Sequence, residues 1–140
     1  PPAKRSKVKV RLAKFVHPHP VLASNRPAAV FGLNVVRKPR PDVATCHGGG
    51  WIASGPPGAD RLPQVVWPPA LEYVDREGAG EVQTPLRGPA AAGLAIGDRV
   101  WLRHCKSGEL SEHVNEFVLV DGDTIVGELP TYRGEGRAFL

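Results

Sequence analysis

At 140 residues, with 41% apolar side chains, 16 glycines and 15 prolines, the chain is long enough for one domain with a real core. It is too short for a large barrel enzyme plus an accessory domain. A mean hydropathy of -0.21 and the lack of any run near roughly 20 apolar residues exclude a helical membrane span, and no secretory leader pattern opens the sequence, so a cytoplasmic protein is expected.

The charge of +4 is uneven: residues 1–20, PPAKRSKVKVRLAKFVHPHP, hold six Lys/Arg and no acid, while the rest carries 12 basic against 14 acidic groups. Residues 1–25 therefore read as a basic, flexible arm, although VKVRLAKFV alternates well enough for a short strand. From Arg26 the pattern changes. AAVFGLNVV is an apolar strand closed by RKPRP, with Pro39 and Pro41 as stops, and DVATC is the next strand. CHGGGWIASGPPGADRLP supplies a triple glycine, an apolar WIA and a Gly/Pro-rich loop. VVWPPALEYV offers two short strands broken by Pro68 and Pro69, and GEVQTPL offers another.

GDRVWLRH is a strand entered from a Gly-Asp turn, with Val100, Leu102 and His104 on one face and Trp101, Arg103 and Cys105 on the other. SGELSEHVNEF has room for one or two helical turns. NEFVLV-DGD-TIVGELP is the clearest hairpin, two β-rich runs around Asp-Gly. There is no internal repeat and no long amphipathic helix. The expected fold is all-β, a small twisted barrel or sandwich over residues 26–140 preceded by the basic arm.

Cys46 and Cys105 are the two cysteines, in no CxxC-like spacing, and both are expected as reduced thiols. The richest cluster of chemically active side chains is RHCKSGELSEH, residues 103–113. Zinc or manganese would draw on His104, Cys105 and Glu109, but adjacent strand residues face opposite ways, so a bend at Cys105 or help from Glu109 is required. The alternative is a strand-terminal histidine bonded to backbone, with His113 solvated in the loop.

Gly48–Gly50 lack the helix that a phosphate cradle needs, which leaves close backbone packing or a bulge as their role. Ser54 lacks the GxSxG setting of a hydrolase nucleophile. The basic arm could grip phosphates, but no strand of the body interleaves basic and aromatic residues as nucleic-acid platforms do.

Four blocks in order, RPAAVFGLNVVRKPRP, GGGWIASGPPGADRLP, EGAGEVQTPL and GDRVWLRHCKSGELSEHVNEFVLVDGDTIVGELPTYRGEGRAFL, resemble the C-terminal β-domain of the amino acid deaminase/aldolase proteins. These are D-threonine aldolase-like and D-serine dehydratase-like enzymes of the alanine racemase fold type, dependent on pyridoxal phosphate (PLP). The resemblance implies a two-domain, dimeric lyase. A TIM-like barrel of roughly 250 residues would carry the cofactor, and this β-domain would complete the active site and pack near the partner's barrel. In such an enzyme the cofactor ring accepts electrons as a bond to Cα of a D-amino acid breaks.

The resemblance also implies a divalent metal held by a His-x-Cys or His-x-Asp pair. His104 falls on the histidine, but the second position is Lys106, a cation, and Cys105 comes one residue early. The RHxKxGE pattern is therefore expected to mark a subgroup in which Lys106 or Glu109 acts on the substrate's carboxylate or amine. Without a barrel domain or chain as partner, the 140 residues are expected to be inactive, and an isolated β-domain should expose apolar surface, with Trp51 and Trp67 as candidates. The alternative function is a stand-alone β-barrel module whose arm binds nucleic acid or another acidic partner.

Overall fold

The computed structural model describes residues 29–106 and 108–137; the basic segment 1–25, expected to be a flexible arm, lies outside them. The described chain is almost entirely β. Strands β1 (Phe31–Arg40), β2 (Val43–His47), β3 (Gln64–Trp67), β4 (Glu72–Tyr73), β5 (Gln83–Arg87) and β6 (Arg99–Arg103) form one antiparallel sheet ordered β3-β6-β1-β2-β5-β4. Its two edge strands, β3 and β4, are consecutive in the chain and joined by residues 68–71, a tether that brings the edges towards each other. The result is a nearly closed barrel, which limits exposed strand edges. A short helix α1 (Glu109–His113) and a separate hairpin of β7 (Glu116–Asp121) and β8 (Thr124–Pro130) follow.

Alternation in the sequence explains the inward faces. Phe31, Leu33 and Val35 of β1 and Val100 and Leu102 of β6 are buried, and they meet Ala44, Cys46, Leu71 and Leu86 in one core. On β2 every residue from Val43 to Cys46 is buried, so this strand is covered on both faces. Beside it, Pro85 of β5 faces Thr45 of β2. Its carbonyl accepts from the Val74 N–H at 3.1 Å. The nitrogen that lacks a hydrogen points to the same side, where β4 has already ended, so the proline breaks no ladder bond.

One strand runs further than the sequence implies. β1 continues through Pro39 to Arg40, and the turn is Pro41–Asp42, between the paired Arg40 and Val43. The reason lies on its other side, where β6 pairs only Phe31–Asn34. Past Val35, which bonds the Gly97–Asp98 turn, β1 has no strand on that side, and on the β2 side Pro39 falls in a bulge between the Arg37–Thr45 and Arg40–Val43 pairs, so it costs no ladder hydrogen bond. The apolar WIA, Trp51–Ala53, forms no strand. The Gly97–Asp98 turn into β6, the hairpin turn after Asp121 and the short helix α1 all fall where the sequence places them.

Candidate functional site

The site grows from the end of β6. Val100 and Leu102 anchor the strand in the core, and its last hydrogen-bonded neighbour is Gln64 of β3, paired with Arg103. The chain then leaves the sheet at His104, so the alternation that would set His104 and Cys105 on opposite faces no longer governs them.

The His104 ring is half-buried, with its Nδ1 inaccessible and without a hydrogen-bond partner among the described residues. A strand-terminal histidine bonded to backbone would not leave that atom orphaned, so this alternative does not describe Nδ1. Burial lowers the His104 pKa; Glu109 works in the opposite direction and Arg103 adds to the lowering. The ring is therefore neutral at pH 7.

The Cys105 thiol donates to the Leu62 carbonyl at 2.7 Å. Burial raises its pKa, Arg103 opposes the shift, and Glu109 and Asp60 reinforce it. It is a thiol, not a thiolate. The Lys106 backbone N–H donates to Glu109 Oε2 at 2.9 Å, fixing the carboxylate at the start of α1. The Lys106 ammonium donates to Ser54 Oγ at 2.9 Å, and the Tyr132 hydroxyl reaches over α1 to donate to the Gly108 carbonyl at 3.0 Å.

Among the described residues no three His, Cys, Asp or Glu side chains gather as a metal ion requires. The orphaned His104 Nδ1 alone has the character of a ligand. Cys105 is protonated and committed to a carbonyl, Glu109 is held by a backbone N–H, and a neighbouring lysine adds positive charge. This donor set does not fit a divalent metal.

Nor do the glycines form a cofactor cradle. A Cβ on Gly49 would lie 2.5 Å from Leu33 Cδ1 and 2.8 Å from Thr84 Oγ1, and one on Gly50 would lie 2.6 Å from the Glu81 nitrogen. Their close approach is to the chain's own β5 and its entry loop, which is the backbone-packing role read from the sequence. Gly49 and Gly50 therefore leave no open backbone cradle for a phosphate.

Two aromatic expectations are corrected. Trp51 does not form an exposed patch: its ring centroid lies 4.3 Å from that of Phe31 and 4.8 Å from that of His113. His113 is exposed, as expected, but it ends α1 and stacks on Trp51 instead of standing free in a loop. Trp67 is exposed, as are Ile125, Val126 and Leu129 of β8.

Sequence reasoning missed Arg61, whose guanidinium donates to the Ser54 carbonyl. The signal was the Gly/Pro-rich loop SGPPGADR, which closes on itself: the Ala53 N–H donates to the Arg61 carbonyl at 2.9 Å.

Among the described residues no helix is long and apolar enough to cross a membrane. No protein-family description matches the sequence, and no curated protein is significantly similar to it. The fold does have a solved counterpart. The crystal structure of D-threonine aldolase from Filomicrobium marinum superposes with a TM-score of 0.64 over 85% of this chain at 15% sequence identity. The chain spans about a third of that protein's length, 32%.

Proposed function

We propose that this chain is the β-domain of a PLP-dependent D-amino acid lyase, of the D-threonine aldolase or D-serine dehydratase type. In this reading it completes an active site whose cofactor is carried by a TIM-like barrel, on a longer form of the chain or on a separate one. The observation that carries the reading is the superposition on D-threonine aldolase, which takes in most of this chain but only 32% of that enzyme. The part with no counterpart here leaves room for a cofactor-bearing domain. The exposed Trp67, Ile125, Val126 and Leu129 add apolar surface suited to packing on a larger body.

When bound in the barrel, PLP would supply the electron sink for breaking a bond to Cα. This domain's part is local. The Lys106 ammonium binds and orients the substrate carboxylate, Glu109 faces the amine, and His104 adds a neutral ring at the end of β6, with its Nδ1 buried. The assembled enzyme is a dimer in which the β-domain lies near the partner subunit's barrel.

The test is native purification from the source cells followed by borohydride reduction and mass spectrometry. A pyridoxyl-lysine on a barrel polypeptide present in equal amount with this sequence, together with cleavage of D-threonine or elimination from D-serine, is the expected result. This sequence purified intact with no pyridoxyl-lysine and neither activity overturns the reading.

A further inference from the structure

Two cations converge on one exposed serine. Arg61 reaches the Ser54 carbonyl from within the loop, and Lys106 reaches the Ser54 hydroxyl from the end of β6. Both are held in place. The Arg61 and Leu62 N–H groups donate to the Gly58 carbonyl at 2.8 and 3.1 Å, and the loop is closed by Ala53 and Arg61. The thiol of Cys105, next to Lys106, ties the end of β6 to Leu62 of the same loop. Gly55 makes the arrangement possible: its φ is +113°, and a Cβ there would stand 2.8 Å from Arg61 Nη1. The guanidinium lies where a side chain would otherwise be.

We infer that Ser54, Arg61 and Lys106 form a binding site for a small oxyanion, a carboxylate or a phosphate. The donor count argues for it. Because Ser54 Oγ accepts from Lys106, its own hydrogen is free to be donated outward. The ammonium keeps two further hydrogens, and its partner is a neutral hydroxyl; Glu109 accepts from the backbone N–H and not from the ammonium. Arg61 keeps Nη2, with Asp60 at 3.8 Å from its Nε as an exposed and loose partner. Arg103, bound to Gln64 Oε1 at 2.5 Å, adds a third cation. Three cations stand against the carboxylates of Asp60, Glu109 and Glu112, so the attraction for an anion comes from the free donors around Ser54 and not from a net charge of this edge. An anion that accepts from Ser54 Oγ–H, Lys106 and Arg61 together makes charge-assisted bonds in a forked arrangement.

The site is a property of this chain alone and does not rest on the lyase reading. Where the bound ion is a carboxylate, it deepens that reading by giving Lys106 two named helpers. The experiment is a ¹⁵N–¹H correlation titration of the full chain at low ionic strength with sodium acetate and, separately, with inorganic phosphate. Saturable shifts at Ser54, Gly55, Arg61 and Lys106 are expected.

Saturation by acetate assigns the site to carboxylates, and saturation by phosphate alone assigns it to phosphates. Lys106→Gln should weaken binding about tenfold, and Ser54→Ala, which leaves every charge in place, several-fold. Shifts that do not saturate, or binding unchanged in both variants while their spectra stay dispersed, would be diffuse surface attraction and would overturn the site. A lyase without anion binding at Ser54, or anion binding in a chain without a PLP partner, separates the two proposals.

Discussion

The imidazole of His113 lies parallel to the indole of Trp51, with centroids 4.8 Å apart and planes within 4°. Trp51 in turn rests 4.3 Å from Phe31, a residue with no exposed surface at the centre of the core. The three rings form a column from the barrel interior to the end of α1. Glu109 opens that helix and Lys106 leads into it, so the column also sets where the candidate site stands.

Trp51→Ala should therefore cost about 3 kcal/mol in urea unfolding, the lower range for removing a packed Trp. His113→Ala should cost about 1 kcal/mol, the contribution of one aromatic pair. Trp67→Ala, at a side chain 55% exposed, should stay within about 0.5 kcal/mol. Equal losses at Trp51 and Trp67 would show that the column does not bear the packing assigned to it.

The glycines divide into two physical kinds, and substitution should tell them apart. Gly50 has ordinary backbone angles, but a Cβ on it would run into the backbone of Gly80 and Glu81 at 2.6–2.9 Å. Gly78 has a φ of +56° and nothing within 4 Å of the same point. Gly78→Ala should cost only the left-handed penalty, about 1–2 kcal/mol. Gly50→Ala requires one of two backbone segments to move and should cost more, at least about 3 kcal/mol. Thermal melts of the two variants, with Gly93→Ala as a reference in open space, measure the difference.

Period-two alternation was enough to put Val100 and Leu102 on one face and, with the apolar run AAVFGLNVV, to read an all-β domain, because a strand with one buried face writes that face into the sequence. Pro39 misled because its cost depends on whether a neighbouring strand is present, and that neighbour, β6, lies some 60 residues later in the chain. Trp51 misled for a similar reason: its partners, Phe31 and His113, flank it from distant segments, and an isolated Trp in a glycine-rich stretch carries no sign of them. At the site, the strand rule predicted opposed faces for His104 and Cys105, but β6 stops at Arg103 and the rule stops with it. Arg61 was missed because the Gly/Pro-rich run announces a loop but not its closure between Ala53 and Arg61, which is set by backbone bonds.

Cys46 makes the fold sensitive to alkali. It is fully buried in β2, and burial pushes its thiol up to about 11 from an ordinary value of 9.0. An acid whose folded pKa is raised holds its proton longer in the folded state than in the unfolded one. Stability is thus whole below pH 9 and declines as the pH rises from there to about 11. The loss across that window amounts to about 2–3 kcal/mol.

Tyr73, whose hydroxyl donates to the Pro63 carbonyl at 2.6 Å, is also raised by burial and adds a loss of the same sign at higher pH. Denaturation midpoints taken from pH 8 to 10 should fall in the native chain and fall less in Cys46→Ala, whatever that variant's stability at pH 8. An unchanged slope in the variant would assign the sensitivity elsewhere.

His104 is the residue at which stability and function should part. Its Nδ1 is buried without a partner, a condition that costs about 1–3 kcal/mol when a polar atom is left unsatisfied. His104→Leu removes that atom at similar volume and should leave the chain as stable as before, or about 1 kcal/mol more so.

Acid adds a second signature. The ring's pKa lies below 6.5, so the folded state favours the neutral form. The stability tied to that form is complete above pH 6.5 and is lost as the pH falls through the lowered folded value. The variant should lose this acid dependence. Calorimetric titration with zinc and with manganese should give no stoichiometric binding to the chain, because Cys105 is a protonated thiol on the Leu62 carbonyl and Glu109 is held by the Lys106 N–H. Tight binding that vanished in His104→Ala would mean the donors rearrange around an ion, and Nδ1 would then be its ligand. If the chain serves the lyase proposed above, His104→Leu should lower that activity while the melting temperature holds, and unchanged activity would leave His104 a packing residue only.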